Sequence, residues 1–158
     1  MLPPVNAGEF VLALYPPWNT PTPATRDLCK IMLPDCGYLM EEEARYANKR
    51  KYSKHSPALP LFTVDDAKKS LTQFHSIQYG QAFDLDGLKC IFTNAGHILG
   101  SAHVSISDGS KNIVFSGDIG RKNDEMMNKP EPPKHADYLV MESTYGDRRH
   151  LHSNVQDE

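Results

Sequence analysis

The sequence has 158 residues, which suits one domain of ordinary size, and its 39% apolar and 23% charged residues are typical of a globular chain. The formal net charge of −3 gives no overall attraction to nucleic acid, so phosphate binding would depend on a local basic patch. Cys29, Cys36 and Cys90 form an odd, widely spaced set without a CxxC pair, which argues against a disulfide framework and a cysteine-rich zinc site. We therefore expect a reducing, cytoplasmic environment.

Residues 1–21 are rich in proline and show no sustained period, so we expect an irregular lead-in, either native or foreign to the domain. Their apolar run FVLALY is too short to span a bilayer and no basic leader precedes it. Neither secretion nor a membrane anchor is expected. Residues 22–158 form the predicted domain.

Two helices are predicted in the next part of the chain. Thr22 followed by Pro23 is typical of an N-cap with proline at the first helical position, and Pro34 is expected to end or kink that helix. A second, mostly polar helix is predicted over about residues 38–51. The basic run KRKYSKH, Lys49–His55, follows the acidic EEEAR, so a solvated helix with both charges is favoured over a nucleic-acid patch.

The later part of the chain predicts one more helix and then strands. Thr63 and Asp66 form a capping-box-like pair before a helical apolar face. Period-2 segments then surround the turns Asp86-Gly87 and Asp108-Gly109, which predicts two hairpins. The apolar run YLVM, 138–141, predicts a strand buried on both faces. This order indicates an α/β fold of the layered α+β kind, with helices packed on a sheet.

Ionisable residues follow three of the predicted strands. IFTNAGH ends at His97, IVFSGD at Asp118, and YLVMES reaches Glu142, so these side chains are expected to meet on one rim of the sheet. Glycines bracket His97 and Asp118 and allow sharp bends or close approach. Imidazole and carboxylate together suit zinc or manganese. Taken singly, a hydrogen-bonded core histidine and a turn aspartate would explain them as well.

Taken together and in order, NAGHILGSA, FSGDIGR and MESTYGDRRH closely resemble successive motifs of the metallo-β-lactamase superfamily, in its β-CASP branch of nucleic-acid-processing nucleases. That branch includes RNase J and the endonuclease of the cleavage and polyadenylation machinery. The resemblance implies a partial αββα sandwich and a two-zinc site. It makes His97 a metal ligand, Asp118 a bridging ligand with a catalytic role, and Glu142 a catalytic residue that supports the site from outside the coordination shell.

The sequence also departs from this family. None of its seven histidines lies in the HxHxDH motif that supplies four ligands in such enzymes. The remaining family motifs would follow ESTYG, but the sequence ends at Glu158. We therefore predict a central fragment of a zinc-dependent RNA-processing nuclease that holds zinc weakly and is inactive by itself. Exposed sheet edges would then favour a homo-oligomer.

Three other hypotheses about function stay open. A non-catalytic protein that binds single-stranded RNA, or a scaffold, would keep the fold without the metal site. A thioester or β-lactam hydrolase is disfavoured because ESTYGDR resembles the nuclease branch. In a composite site, another chain would supply the missing ligands.

Further histidines and arginines have other predicted roles. His103 alternates with apolar residues and is expected on the polar face of its strand, facing solvent or hydrogen-bonded. His150 and His152 resemble an HxH ligand pair but fit a mobile tail better. Three arginines near the predicted rim are candidates for phosphate contact, although arginines at loop ends are usually only solvated: Arg121, Arg148 and Arg149.

Overall fold

The computed structural model describes residues 19–144 and 146–147. Two helices precede five strands in this part of the chain. The helices are α1 (Pro23–Arg50) and α2 (Val64–Leu71), and the strands are β1 (Ala82–Leu85), β2 (Leu88–Asn94), β3 (Ala102–Ser107), β4 (Asn112–Phe115) and β5 (Tyr138–Val140).

Helix α1 begins as predicted, with Thr22 as the N-cap that accepts the backbone N–H of Thr25 and a proline in the first turn. The prediction that Pro34 ends the helix is wrong, because a single helix runs through it to Arg50. Proline removes one hydrogen bond, and tertiary packing of the following turns opposes this local cost. One such contact is at Gly37, where a Cβ would lie 2.8 Å from the backbone nitrogen of Val64.

Helix α2 has the predicted capping box. Thr63 accepts the backbone N–H of Asp66, and the Asp66 carboxylate accepts the backbone N–H of Thr63. The hydrogen bonds from Thr63 hold the pKa of the Asp66 carboxyl below its ordinary value. On the neighbouring helix, Glu41 accepts the N–H of Val64 at 3.2 Å, so α1 supplies a further partner for the first turn of α2.

The five strands form one sheet in the order β1-β2-β3-β4-β5. Both predicted hairpins are present, and the first turns through Asp86 and Gly87 with φ of 51° and 86°. Strand β5 joins β4 in parallel at the edge of the sheet. Its predicted burial on both faces is wrong, since its three residues are between 50% and 59% exposed. A continuous apolar run cannot distinguish a central strand from an uncovered edge strand.

The two helices pack against each other, and the connecting segments join them to the sheet. Thr22 donates its hydroxyl to the carbonyl of Gly100 at 2.8 Å, and the N–H of Ile77 donates to Pro21 at 3.0 Å. The mixed α/β class is as predicted. Within residues 19–144, no helix is both long and apolar enough to cross a bilayer.

Candidate metal centre

The loops after β2, β4 and β5 lie at the same end of the sheet, beyond the carboxyl ends of these strands. Strands β2 and β4 are each antiparallel to β3, and β5 is parallel to β4, so all three strands run in the same direction. Their carboxyl ends therefore meet, as predicted from the sequence. The loops carry His97, Asp118 and Glu142 respectively.

His97 and Asp118 approach each other across two of these loops. The Nε2 atom of His97 lies 3.7 Å from Oδ2 of Asp118, and their side chains are 44% and 70% exposed. Two donor atoms on a tetrahedral zinc with bonds of about 2.0–2.1 Å stand roughly 3.3 Å apart. The spacing of His97 and Asp118 thus comes close to that of two ligands of one ion.

Glu142 holds the loop that carries Asp118. Its Oε1 atom accepts the backbone N–H of Ile119 at 2.7 Å, and its own N–H donates to Oγ of Ser116 at 3.1 Å. The carboxylate therefore contacts the residue directly after Asp118. This placement suits a positioning role beside the candidate metal centre.

Hydrogen bonds to backbone N–H groups fix the loop that carries His97. Oγ of Ser101 accepts the N–H groups of His97 and Ile98 at 3.0 Å and 3.3 Å. The N–H of Gly120 in the Asp118 loop donates to the carbonyl of Ala95 at 2.9 Å. These contacts set the relative position of the two loops before any ligand arrives.

Glycine is needed where the loops touch. A Cβ on Gly120 would lie 1.8 Å from the carbonyl oxygen of Gly96, which no side chain can occupy. Gly96 itself has φ of 65°, and a Cβ there would lie 2.5 Å from the carbonyl of Asn128. The glycines of NAGH and SGDIG thus permit close backbone approach at the site.

His103 lies near the start of β3, at the same end of the sheet as the candidate metal centre. It is only 5% exposed, and its Nδ1 atom lies 2.7 Å from the carbonyl oxygen of Ser116, which makes Nδ1 the protonated nitrogen. The expectation of a hydrogen bond is confirmed, whereas a solvent-facing His103 is wrong. Sequence alternation alone did not show that this face of β3 is covered near residue 103.

Sequence reasoning missed three polar residues that position the site: Asn94, Ser101 and Ser116. Asn94 accepts the N–H of Gly96 at 3.0 Å through its side chain. Ser116 contacts His103 through its carbonyl and Glu142 through its hydroxyl. Asn two residues before Gly is a local signal that could have been used. The partners of Ser116 lie 13 and 26 residues away, so no local pattern shows them.

The described residues form an incomplete ligand set. His97 and Asp118 lie 3.7 Å apart, but no group of three histidine, cysteine, aspartate or glutamate side chains able to hold a metal occurs among residues 19–144 and 146–147. Structural and catalytic zinc sites use about three or four protein ligands. The residues at hand therefore do not suffice for a catalytic zinc. His150, His152, Arg148 and Arg149 lie outside the described residues, and Arg121 is exposed.

The model of the metallo-β-lactamase superfamily domain matches residues 37–139 of the sequence. This chain belongs to the metallo-β-lactamase superfamily. That family implies divalent metal, generally zinc, and its fold is consistent with the helices and five-stranded sheet described above. The predicted partial metallo-β-lactamase fold is confirmed.

Several curated relatives are ribonucleases by name. Ribonuclease TTHA0252 of Thermus thermophilus is 35% identical over 91 residues, which cover 58% of this chain and 21% of the relative. Endoribonuclease YSH1 of Yarrowia lipolytica is 36% identical, with 58% and 11% covered. For cleavage and polyadenylation specificity factor subunit 3 of Dictyostelium discoideum, the values are 36%, 57% and 12%. The resemblance to β-CASP RNA-processing nucleases is thus confirmed, over a small part of each relative.

Proposed function

We propose that residues 22–158 supply one part of a zinc-dependent nuclease that hydrolyses phosphodiester bonds of RNA. The observation that carries the proposal is the 3.7 Å approach of His97 to Asp118 at an edge of the sheet where Glu142 also lies. In this proposal His97 and Asp118 hold metal, while Glu142 keeps the Asp118 loop in place. The similarity to proteins named as ribonucleases supports RNA as the substrate. The three free thiols support a cytoplasmic location.

The same proposal makes residues 1–158 inactive on their own. The sequence contains no HxHxDH motif, and two ligands shared between metals would hold zinc weakly. Without firmly held metal, no activated water is available for hydrolysis. The missing ligands would have to come from outside these residues.

A cleavage assay tests this directly. A 5′-labelled single-stranded RNA is incubated with the chain and zinc, beside the His97→Ala variant and the matched His75→Ala variant, whose exposed histidine is not a candidate ligand. We expect no cleavage above background in all three. Cleavage that His97→Ala abolishes and His75→Ala retains would contradict the inactivity of these residues while supporting the assigned ligand.

The alternative is a non-catalytic RNA-binding or scaffold protein with the same fold. The absence of a third ligand among residues 19–144 and 146–147 favours it. Binding of single-stranded RNA that survives a chelator and is unchanged in His97→Ala and Asp118→Ala would support this alternative. RNA binding that requires zinc and both side chains would count against it.

A further inference from the structure

The last turn of α1 and the segment after it carry several basic residues with no acidic residue between them. From Ala44 to Val64 the sequence contains no aspartate or glutamate, and it contains five lysines and arginines in that interval. Helix α1 ends at Arg50, and Lys51 follows with its N–H bonded to Ala47 and a left-handed φ of 56°. The chain therefore reverses direction inside the basic run instead of continuing as a solvated helix.

Two exposed tyrosines lie within this basic run. Tyr46 and Tyr52 are 53% and 57% exposed, and their ring centroids are 6.1 Å apart. The guanidinium of Arg50 lies 5.4 Å from the centre of the Tyr46 ring, a cation–π distance. We call the six residues Tyr46, Lys49, Arg50, Lys51, Tyr52 and Lys54 the basic–tyrosine surface.

The cations of this surface are available to an outside partner. Lys49, Lys51 and Lys54 are exposed, and none pairs with a carboxylate of the described residues. The acidic residues one turn earlier are partly occupied, since Glu42 pairs with Arg45 and Glu41 accepts the N–H of Val64. The macrodipole at the end of α1 disfavours anions, but several full positive charges outweigh this partial charge.

The loop behind the surface has a defined shape. The Asn48 side chain donates to the carbonyl of Ala58 at 2.9 Å and accepts its N–H at 2.8 Å, which ties the loop to α1. A groove of about 290 Å³ lies between this loop and α1. Its lining includes Tyr52, Leu59 and the exposed residue Glu43. This volume is near the lower end of small-ligand pockets, about 300 Å³.

We infer that the basic–tyrosine surface binds single-stranded RNA, with phosphates on Lys51 and Lys54 and a base stacked on Tyr52. Lysines that follow a backbone and exposed rings that accept bases of any sequence are the combination that binds single strands. This inference rests on the proposed RNA substrate and adds a binding surface on a different part of the chain from His97 and Asp118. Binding here requires no metal.

The test is fluorescence anisotropy of a labelled single-stranded RNA with the 158-residue chain in a chelating buffer, at several salt concentrations. The charge variant is Lys51→Gln/Lys54→Gln, and its matched control is Lys68→Gln/Lys69→Gln, which removes two exposed lysines from α2. The ring variants are Tyr52→Ala and Tyr52→Phe. Circular dichroism melts check that each variant is folded.

We expect the charge variant to lower the slope of log K against log salt by about 1.4 in magnitude, for two phosphate contacts at about 0.7 each. Tyr52→Ala should weaken binding about tenfold, whereas Tyr52→Phe should keep it. Equal effects of the two lysine pairs, no RNA binding by the parent chain, or tighter binding to anionic vesicles than to RNA would overturn the inference. The zinc affinity of His97 and Asp118 is measured separately, so each proposal can fail alone.

Discussion

At the scale of single residues, backbone contact between the loops of His97 and Asp118 leads to a first prediction. Gly120→Ala would place a Cβ 1.8 Å from the carbonyl oxygen of Gly96, so the loops must separate. We expect the free energy of unfolding to fall by about 3 kcal/mol, at the upper end of typical overpacking costs. Chemical denaturation followed by circular dichroism measures this change.

Gly109→Ala is the control for Gly120→Ala. Gly109 lies in the turn between β3 and β4 with φ of 90°, and a Cβ there would meet no atom within 4 Å. The expected loss is about 1 kcal/mol, from backbone strain alone. Equal losses for the two variants would show that the contact between the loops is not a tight one.

Ser116 leads to a second prediction at the residue scale. Ser116 lies two residues before Asp118, and its hydroxyl accepts the N–H of Glu142. Ser116→Ala leaves this part-buried N–H without its partner and should lower stability by about 1–2 kcal/mol. Amide hydrogen exchange should rise at residues 117–119 and 142. Unchanged exchange at Glu142 would contradict the role assigned to the hydroxyl.

At the scale of elements, the start of α1 is tied to the loop of the candidate metal centre. The hydroxyl of Thr22 both caps the helix and donates to Gly100, three residues after His97. Thr22→Val should cost about 1–2 kcal/mol and increase amide exchange at residues 97–101. Thr63→Val removes the cap of α2 at a similar cost and should leave residues 97–101 unchanged. Equal exchange in both variants would contradict the coupling.

The connection between β4 and β5 should depend on pH. The N–H of Asn112 at 2.8 Å and the Lys111 ammonium at 3.1 Å hold the pKa of the Asp137 carboxyl below its ordinary value. A lowered folded-state pKa means that the carboxylate stabilises the fold above about pH 4 and that this contribution is lost as the pH falls through the lowered value. Asp137→Ala should be less stable at pH 7 and lose less stability on acidification. Parallel pH curves for both proteins would contradict this.

The elements that the sequence predicts are those with local signals. The cap at Thr22, the capping box at Thr63 and the Asp-Gly turns depend on neighbours within four residues. The continuation of α1 through Pro34 and the exposure of β5 depend on what packs against each element, which no local pattern shows. For the site, strand order brings His97 and Asp118 together, whereas the contacts of Ser116 require the register of distant segments.

At the scale of the whole molecule, the exposed edge strand favours self-association. Tyr138, Leu139 and Val140 are between 50% and 59% exposed on β5, which has a neighbouring strand on only one side within residues 19–144. We expect light scattering to show a molar mass that rises with concentration. Val140→Lys should reduce this rise, while Lys68→Gln on α2 should not. A monomer at all concentrations would contradict the prediction.

Equilibrium dialysis against zinc tests the candidate metal centre most directly. Residues 1–158 and the His97→Ala/Asp118→Ala variant are dialysed against rising zinc concentrations, and bound metal is measured by elemental analysis. We predict weak, saturable binding near one zinc per chain that the double variant loses. Tight zinc binding that the variant retains, or no difference between the two proteins at any concentration, would contradict the assignment.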